Sequence, residues 1–408
     1  MNARMPSVKA MDIPLDRPAA SSAIIRVASL MRREGQTGLQ THVRAVLAAM
    51  QKAGRTATLV TPFDPPWWQV VPVFGLRKLV EPVSSAAGVW WHEHWHKVFL
   101  ERMLRMHLQG GEPCVVYAQC PPSAQAALAA RRGPQQRVVM VVHFNESQAD
   151  EWAGKGLIAP DGRLFRAIRA REHQILHQVD GLVFVSDYMR RQLCARYPEI
   201  AQARHAVVPN FIADPQEPDT APAGRPHRES NSIDADLINI GTLEPRKNQA
   251  YLLHIVAAAR RRGVSLRVTL VGDGPDHAML RASAATLGIA DLVRFAGFIP
   301  DAAGLISKHR AYIHVARLES LPLVLIEALA HGVPVFAPAV GGIPEMFVDG
   351  VEGSMVPLDD ADAAAATIIQ RLESASGMAA AAAAARQRFL DCFESKATAA
   401  RLAAFLDA

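Results

Sequence analysis

The chain has 408 residues, 50% hydrophobic and 20% charged, with a formal net charge of +5 and a pI near 9.2. Those proportions exclude a disordered chain, and the length calls for about two domains, each large enough for its own core. The positive balance favours an anionic partner; without a run of basic residues interleaved with aromatics, nucleic acid is not expected.

Residues 1–22 carry Arg4, Lys9, Asp12, Asp16 and Arg17 with no unbroken apolar core, so they read as a flexible leader, neither signal peptide nor membrane span. Next come SAIIRVASL, TATLVTPF, CVVYAQ, VVMVVHF and GLVFVS, short apolar runs separated by helical stretches, the alternation of a doubly wound α/β domain over 23–213. Within it WWHEHWHKVFLERMLRMHL is helical, with Trp91, Trp95, Phe99 and Met103 recurring about every four residues. That stripe is a packing face or, alternatively, an acceptor or membrane-contact surface. His143 falls at the carboxyl end of VVMVVHF, the side on which open α/β sheets bind ligands.

Residues 214–235 are rich in proline and charge and read as a hinge. A second α/β domain over 236–390 restarts with LINIGTL and continues through LRVTLVGDGP, VRFAGF, YIHVA and VPVFAPA. Residues 391–408 read as a final helix. Cys114, Cys120, Cys194 and Cys392 form no C-x-x-C pair and read as reduced thiols of a cytoplasmic protein. Asp234 with Asp236, and Asp360 with Asp362, are D-x-D strings without the strand-end setting of a metal site, so no metal and no cofactor is expected.

The most informative segment is ESLPLVLIEALAHGVPVFA. It sets Glu319 and Glu327 in otherwise apolar surroundings, where an unpartnered carboxylate is unfavourable. Ser320 and Pro322 suit the cap and first turn of a helix through Leu323, Val324, Leu325 and Ile326 to about His331, stopping at Gly332. Glu319 then sits just before that helix and Glu327 within it. In INIGTLEPRKNQAYLLHIV, Arg246 and Lys247 precede a helix beginning near Asn248, where free amides and the helix dipole favour an anion. Gly272 and Gly274 form a permissive turn, and Gly341 and Gly342 allow close backbone approach to a ligand; Glu345 caps the helix it begins. Gly35 and Gly38 open the loop after the first strand; neither G-x-G-x-x-G nor G-x-x-x-x-G-K-[ST] occurs.

The Glu, seven residues, Glu spacing followed by HGVPVFAPAVGGIPEMF resembles the retaining glycosyltransferases of the GT-B fold, the large family-4 group, over most of residues 23–390. The resemblance implies two Rossmann-like domains facing a cleft, a nucleotide-sugar donor, and a carbohydrate or lipid-linked acceptor. It also implies metal-independent transfer with retention, and a polysaccharide or glycoconjugate product. By the same resemblance the final helix crosses back onto the first domain, and peripheral contact with the inner membrane surface is a further expectation. The implied catalytic groups are His143, Glu319 and Lys247; donor contacts come from Gly38, Thr242, Arg246, Lys247, Gly274, Phe298, Glu319, Leu321, Pro322, Leu323 and Glu327. Two departures from the family pattern stand out: Thr242 replaces the usual arginine after Gly241, with Arg246 offering the missing charge, and His143 is followed by Phe144 instead of an aspartate. The alternatives are a nucleotide-sugar epimerase of the same fold and a non-catalytic sugar-nucleotide-binding protein.

Overall fold

The computed structural model describes residues 24–35, 37–144, 147–217 and 234–408, omitting the side chain of Lys78. The expected leader, 1–22, and residues 218–233 of the expected hinge, 214–235, therefore lie outside the described residues.

Six parallel strands form the first sheet: β1 (Ile24–Ala28), β2 (Ala57–Val60), β3 (Cys114–Ala118), β4 (Gln136–Val142), β5 (Gly181–Phe184) and β6 (His205–Val207), in the order β2-β1-β3-β4-β5-β6. Helices α1 (Gly38–Lys52), α2 (Trp67–Val80), α3 (Ser85–His107), α4 (Pro121–Ala130), α5 (Gln148–Gly154), α6 (Arg163–Gln178) and α7 (Asp187–Arg196) flank it. The second sheet holds β7 (Ala235–Ile240), β8 (Val268–Val271), β9 (Val293–Gly297), β10 (His309–Ile313), β11 (Val335–Ala337) and β12 (Gly353–Met355), ordered β12-β11-β10-β7-β8-β9 and again parallel. Around it lie α8 (Gln249–Arg261), α9 (His277–Thr286), α10 (Leu323–Ala330), α11 (Ala361–Glu373), α12 (Ala375–Cys392) and α13 (Ser395–Asp407). The central strands, such as Cys114–Ala118, are buried at every position, as parallel strands covered on both faces must be.

Helix α13 leaves the second half and packs on the first. Arg204 lies 4.1 Å from the Phe405 ring centroid, Arg55 pairs with Asp407, and Arg137 donates to the Leu406 carbonyl. Helix α10 starts at Leu323 behind Pro322 and ends where Gly332 takes a φ of +64°, a turn glycine adopts without the usual side-chain clash.

The aromatic stripe of α3 is internal: Phe99 and Met103 are buried, and the Trp91 indole donates to the Val73 carbonyl of α2 at 2.9 Å. The same inner face also buries Glu93 and His96. It is α2 that turns apolar residues outward, with Trp67 74% exposed and Trp68, Leu79 and the following Val83 also exposed. The D-x-D carboxylates have structural partners. Asp236 pairs with Arg310, Asp360 caps α11, and Asp362 pairs with Arg261.

Candidate active site

In the second sheet the strand order reverses between β7 and β10, so their following loops diverge to opposite faces and leave a crevice at the carboxyl ends of the strands. The loop after β7 contains Thr242, Arg246 and Lys247; the loop after β10 contains Glu319. Asn248, in the left-handed conformation at φ +59°, turns the short 3-10 segment Pro245–Lys247 into α8 and aims the basic pair at the crevice. Lys247 Nζ lies 2.5 Å from Glu319 Oε1, Arg246 lies 3.8 Å away, and His314 Nε2 donates to the same oxygen at 3.2 Å. Burial would raise the Glu319 carboxyl, but the His314 hydrogen bond and the Lys247 charge outweigh it and hold the group down at about 2. Glu319 is thus an ionised carboxylate that is only 8% exposed.

Glu327 lies one helical stretch further on and behaves oppositely. Burial pushes its carboxyl up to about 7; Arg44, reaching from α1, opposes the rise and Asp301 reinforces it. Two motif carboxylates with pKa values driven apart mark groups in different roles.

The first sheet reverses order between β1 and β3, and its loops face the same crevice. Thr37 caps α1 in a reciprocal box with Gln40, which sets Gly38 on the first turn. A Cβ built on Gly38 would sit 3.9 Å from the Leu323 side chain at the start of α10, so the two helix N-termini face one another. His143, just past β4, meets Gln119 at 3.3 Å and the edge of the His42 ring at 4.6 Å between centroids. Burial, assisted by His42, holds the His143 imidazole well below its usual range, so it is neutral at pH 7. The Ser320 hydroxyl donates to the His143 carbonyl at 2.6 Å and ties the glutamate loop to this strand end.

Not every expected residue meets the others. Phe298 is 64% exposed, at a rim. The Thr242 carbonyl accepts from Gln249, a turn-holding bond at 3.0 Å, and the Leu321 carbonyl accepts from Asn210 at 2.8 Å. Pro322 has no amide to offer an anion, whereas Leu323 begins the helix and has one.

One expectation needs correction, and the glycine turns have an added constraint. Gly341 and Gly342 make room for the backbone of the glutamate loop. A Cβ at either would lie 1.7 Å from the Glu319 carbonyl oxygen or 1.9 Å from that of Ser320, so the turn is packed directly beneath the glutamate loop. Gly272 and Gly274 do the same for Gly241 and Leu243, at 2.0 and 2.3 Å. Glu345, in turn, does not cap its own segment. Its carboxylate accepts from the amides of Asp187 at 2.7 Å and Tyr188 at 2.5 Å, capping α7 of the opposite half, with Arg191 3.5 Å away.

His42 and His314 escaped the sequence reading. His314 ends β10 as His143 ends β4, so the strand-end position was the available signal. His42 is buried on α1 beside Asn210; burial lowers its imidazole to about 4, and the Asn210 side chain opposes that shift. Its ring meets that of His143 edge-on in the crevice wall.

Known proteins agree with this architecture. Residues 36–214 match the family profile described as glycosyltransferase family 4, and residues 224–388 match that described as glycosyl transferases group 1. A GDP-mannose-dependent alpha-(1-6)-phosphatidylinositol monomannoside mannosyltransferase of Mycolicibacterium smegmatis is 28% identical over 75% of this chain and 79% of its own length. Sucrose-phosphate synthase from Thermosynechococcus elongatus superposes with a TM-score of 0.67 at 18% identity, over 93% of this chain and 97% of the other. Anabaena HepE in complex with UDP-glucose gives 0.65 at 16%, over 94% and 99%. By contrast, this chain spans only 59% of the Staphylococcus aureus TarM chain. With two Rossmann-like halves and both profiles matched in order, the chain belongs to the group 1 glycosyltransferases of the GT-B fold.

Proposed function

We propose that this glycosyltransferase takes a sugar from a nucleotide-sugar donor and passes it to a carbohydrate or lipid-linked acceptor with retention at the anomeric carbon, without a metal. The observation that carries the reading is the Lys247, Arg246 and His314 set closing on the ionised Glu319 at the strand-order reversal. Loss of a nucleoside diphosphate leaves negative charge on phosphate, and preorganised cations stabilise it best in a crevice that excludes water. One glutamate against two cations leaves a net positive site for that charge, and the α10 N-terminus adds a dipole of the same sense.

In this reading Glu319 orients the transferred sugar through its hydroxyls and Glu327 accepts from the ribose. Neutral His143 positions the sugar from the opposite half, and the exposed Phe298 flanks the base. The departing phosphate takes the acceptor proton on the same face as the sugar, so no enzyme nucleophile is required. HepE bound to UDP-glucose and the GDP-mannose-dependent relative support a sugar nucleotide as donor, and the latter supports glycoconjugate synthesis. A cytoplasmic location fits four free cysteines, and the exposed Trp67 and Trp68 supply a face for peripheral membrane contact; among the described residues no helix is long and apolar enough to cross a membrane.

A thermal-shift screen of sugar nucleotides identifies the donor, since a ligand at 100 times its dissociation constant adds about 2.7 kcal/mol of stability. Turnover is then followed by NMR of the product's anomeric carbon. The configuration of the donor should be kept; inversion, or an altered free sugar formed without acceptor, contradicts the proposal.

A further inference from the structure

On the far side of the first domain, away from the crevice, two histidines and a glutamate converge. His173 and His177 lie one turn apart on the last half of α6, just before β5, and Glu199 lies in the 3-10 segment Pro198–Gln202, just before β6. Both segments lead into the amino ends of their strands, whereas the crevice opens at the carboxyl ends. Nothing in the proposed transfer reaction uses these groups.

We propose that His173, His177 and Glu199 form a surface site for a divalent transition ion of the zinc class. The potential ligand atoms, one per residue, all lie within 4.8 Å of one another. Glu199 Oε1 is 2.9 Å from His173 Nε2 and 3.3 Å from His177 Nε2. Ligands about 2.0–2.1 Å from a tetrahedral zinc stand about 3.3 Å apart, so the carboxylate already has ligand spacing to both rings. Only the two imidazoles have to close slightly, and their side chains are 44% and 39% exposed.

The protonation pattern suits a metal as well. His177 Nδ1 lies 2.7 Å from the His173 carbonyl, an acceptor only, so Nδ1 carries the hydrogen. In the neutral ring Nε2 is then a bare lone pair directed at the cluster, the arrangement in which an outer hydrogen bond fixes the ligating tautomer. His173 Nδ1 is free to take the proton that Nε2 gives up on binding. Tyr197 packs on the His173 ring, with centroids 4.6 Å apart, and holds its plane. The Glu199 carboxyl is lowered by backbone and His173 hydrogen bonds and stays ionised. The nearby Arg169 is engaged by both oxygens of Asp150 at 2.7 Å, which reduces its repulsion of an incoming cation.

Two imidazoles and one carboxylate select zinc, cobalt, nickel or copper over magnesium and calcium, which prefer oxygen-rich sites. Three protein ligands leave the remaining coordination to water. The ion would tie the end of α6 to the turn between α7 and β6, so its effect is on local stability of the first domain and not on transfer.

The full-length chain is stripped with chelator, desalted, and titrated by calorimetry with zinc chloride and, separately, magnesium chloride. One zinc per chain is expected, with no magnesium uptake and a melting temperature raised by zinc. Cobalt should give the visible absorption of a low-coordinate nitrogen and oxygen site. The double variant His173→Ala, His177→Ala and the single Glu199→Gln, with His173 half-buried and the other two exposed, should weaken zinc at least about 10-fold while leaving the metal-free melting temperature of Glu199→Gln unchanged. Absence of saturable zinc uptake, or uptake undiminished in the double variant, overturns the site. Because donor binding is read separately by thermal shift with a sugar nucleotide, failure here leaves the transfer reading untouched.

Discussion

Lys247 and Glu319, separated by 72 residues in the chain, meet at 2.5 Å across the line where the second sheet reverses its strand order. The pair assembles before any ligand arrives: the lysine charge is partly offset by the carboxylate, and the carboxylate stays ionised because the His314 hydrogen bond and the lysine charge outweigh burial. In the proposed reading, a donor entering this crevice would have its phosphates beside the cation and its sugar beside the anion.

Lys247→Ala removes the cation that the proposed function assigns to the departing diphosphate. Turnover should fall by about 10²-fold or more, comparable with loss of one preorganised donor at a developing charge. Steady-state rates at saturating donor measure this. Near-normal turnover would assign the role to Arg246.

The rise of Glu327 to about 7 makes a pH prediction with a definite sign. Its folded value is above the ordinary 4.5, so the folded chain holds a proton that the unfolded chain has released. Stability from this group is therefore intact below about 4.5 and is lost as pH rises towards and past about 7. Glu327→Gln should become more stable relative to the parent across that interval, by at most about 3 kcal/mol. Glu172, also raised to about 7 by burial, titrates in both proteins and cancels in the comparison. Melting temperatures of parent and variant at matched pH provide the test, and parallel curves would show that Glu327 is not desolvated.

Glu345 links the two halves by capping α7 through the Asp187 and Tyr188 amides. Glu345→Ala should speed hydrogen exchange at those two amides and lower stability by about 1 kcal/mol, the usual effect of losing a cap. Unchanged protection of both amides would show that the contact is not kept in solution.

The balance between what the sequence disclosed and what it hid follows from range. Leu323 to Gly332 was legible as a helix because its start and stop are local chemistry, a proline in front and a glycine behind. The carboxyl ends of strands were legible too, which brought His143 into view; His314 was hidden because the run YIHVA reads on past it, whereas the strand ends at Ile313. Glu345 was misread because its partners lie 157 and 158 residues away on another helix, and a capping carboxylate looks alike whichever helix it caps. Gly341 and Gly342 were half legible for a related reason. A glycine announces that something passes close by, but only the fold shows that a carbonyl of the adjoining loop does so here. The packing of α3 against α2 was half visible. Its period was correct, while Glu93 on the buried face is explained only by Arg171 and Trp152, which reach it from other helices.

Turnover should persist in excess chelator, because the groups around Glu319 are cations and an imidazole and not a carboxylate cluster. Complete loss, restored by magnesium or manganese, would contradict metal-independent transfer. Loss restored by neither would point to a stability effect of an ion held elsewhere.

The division of labour between the two glutamates is measured most directly by calorimetry. UDP and GDP are titrated in turn, then the donor found by thermal shift, into the parent, Glu319→Gln and Glu327→Ala. If Glu327 holds the ribose, Glu327→Ala weakens diphosphate and donor alike, because both contain ribose. If Glu319 addresses the transferred sugar, Glu319→Gln keeps or tightens diphosphate binding, since Lys247 is released from its partner, while donor affinity and turnover fall. Equal losses of diphosphate affinity in both variants, or normal turnover in both, would contradict the account.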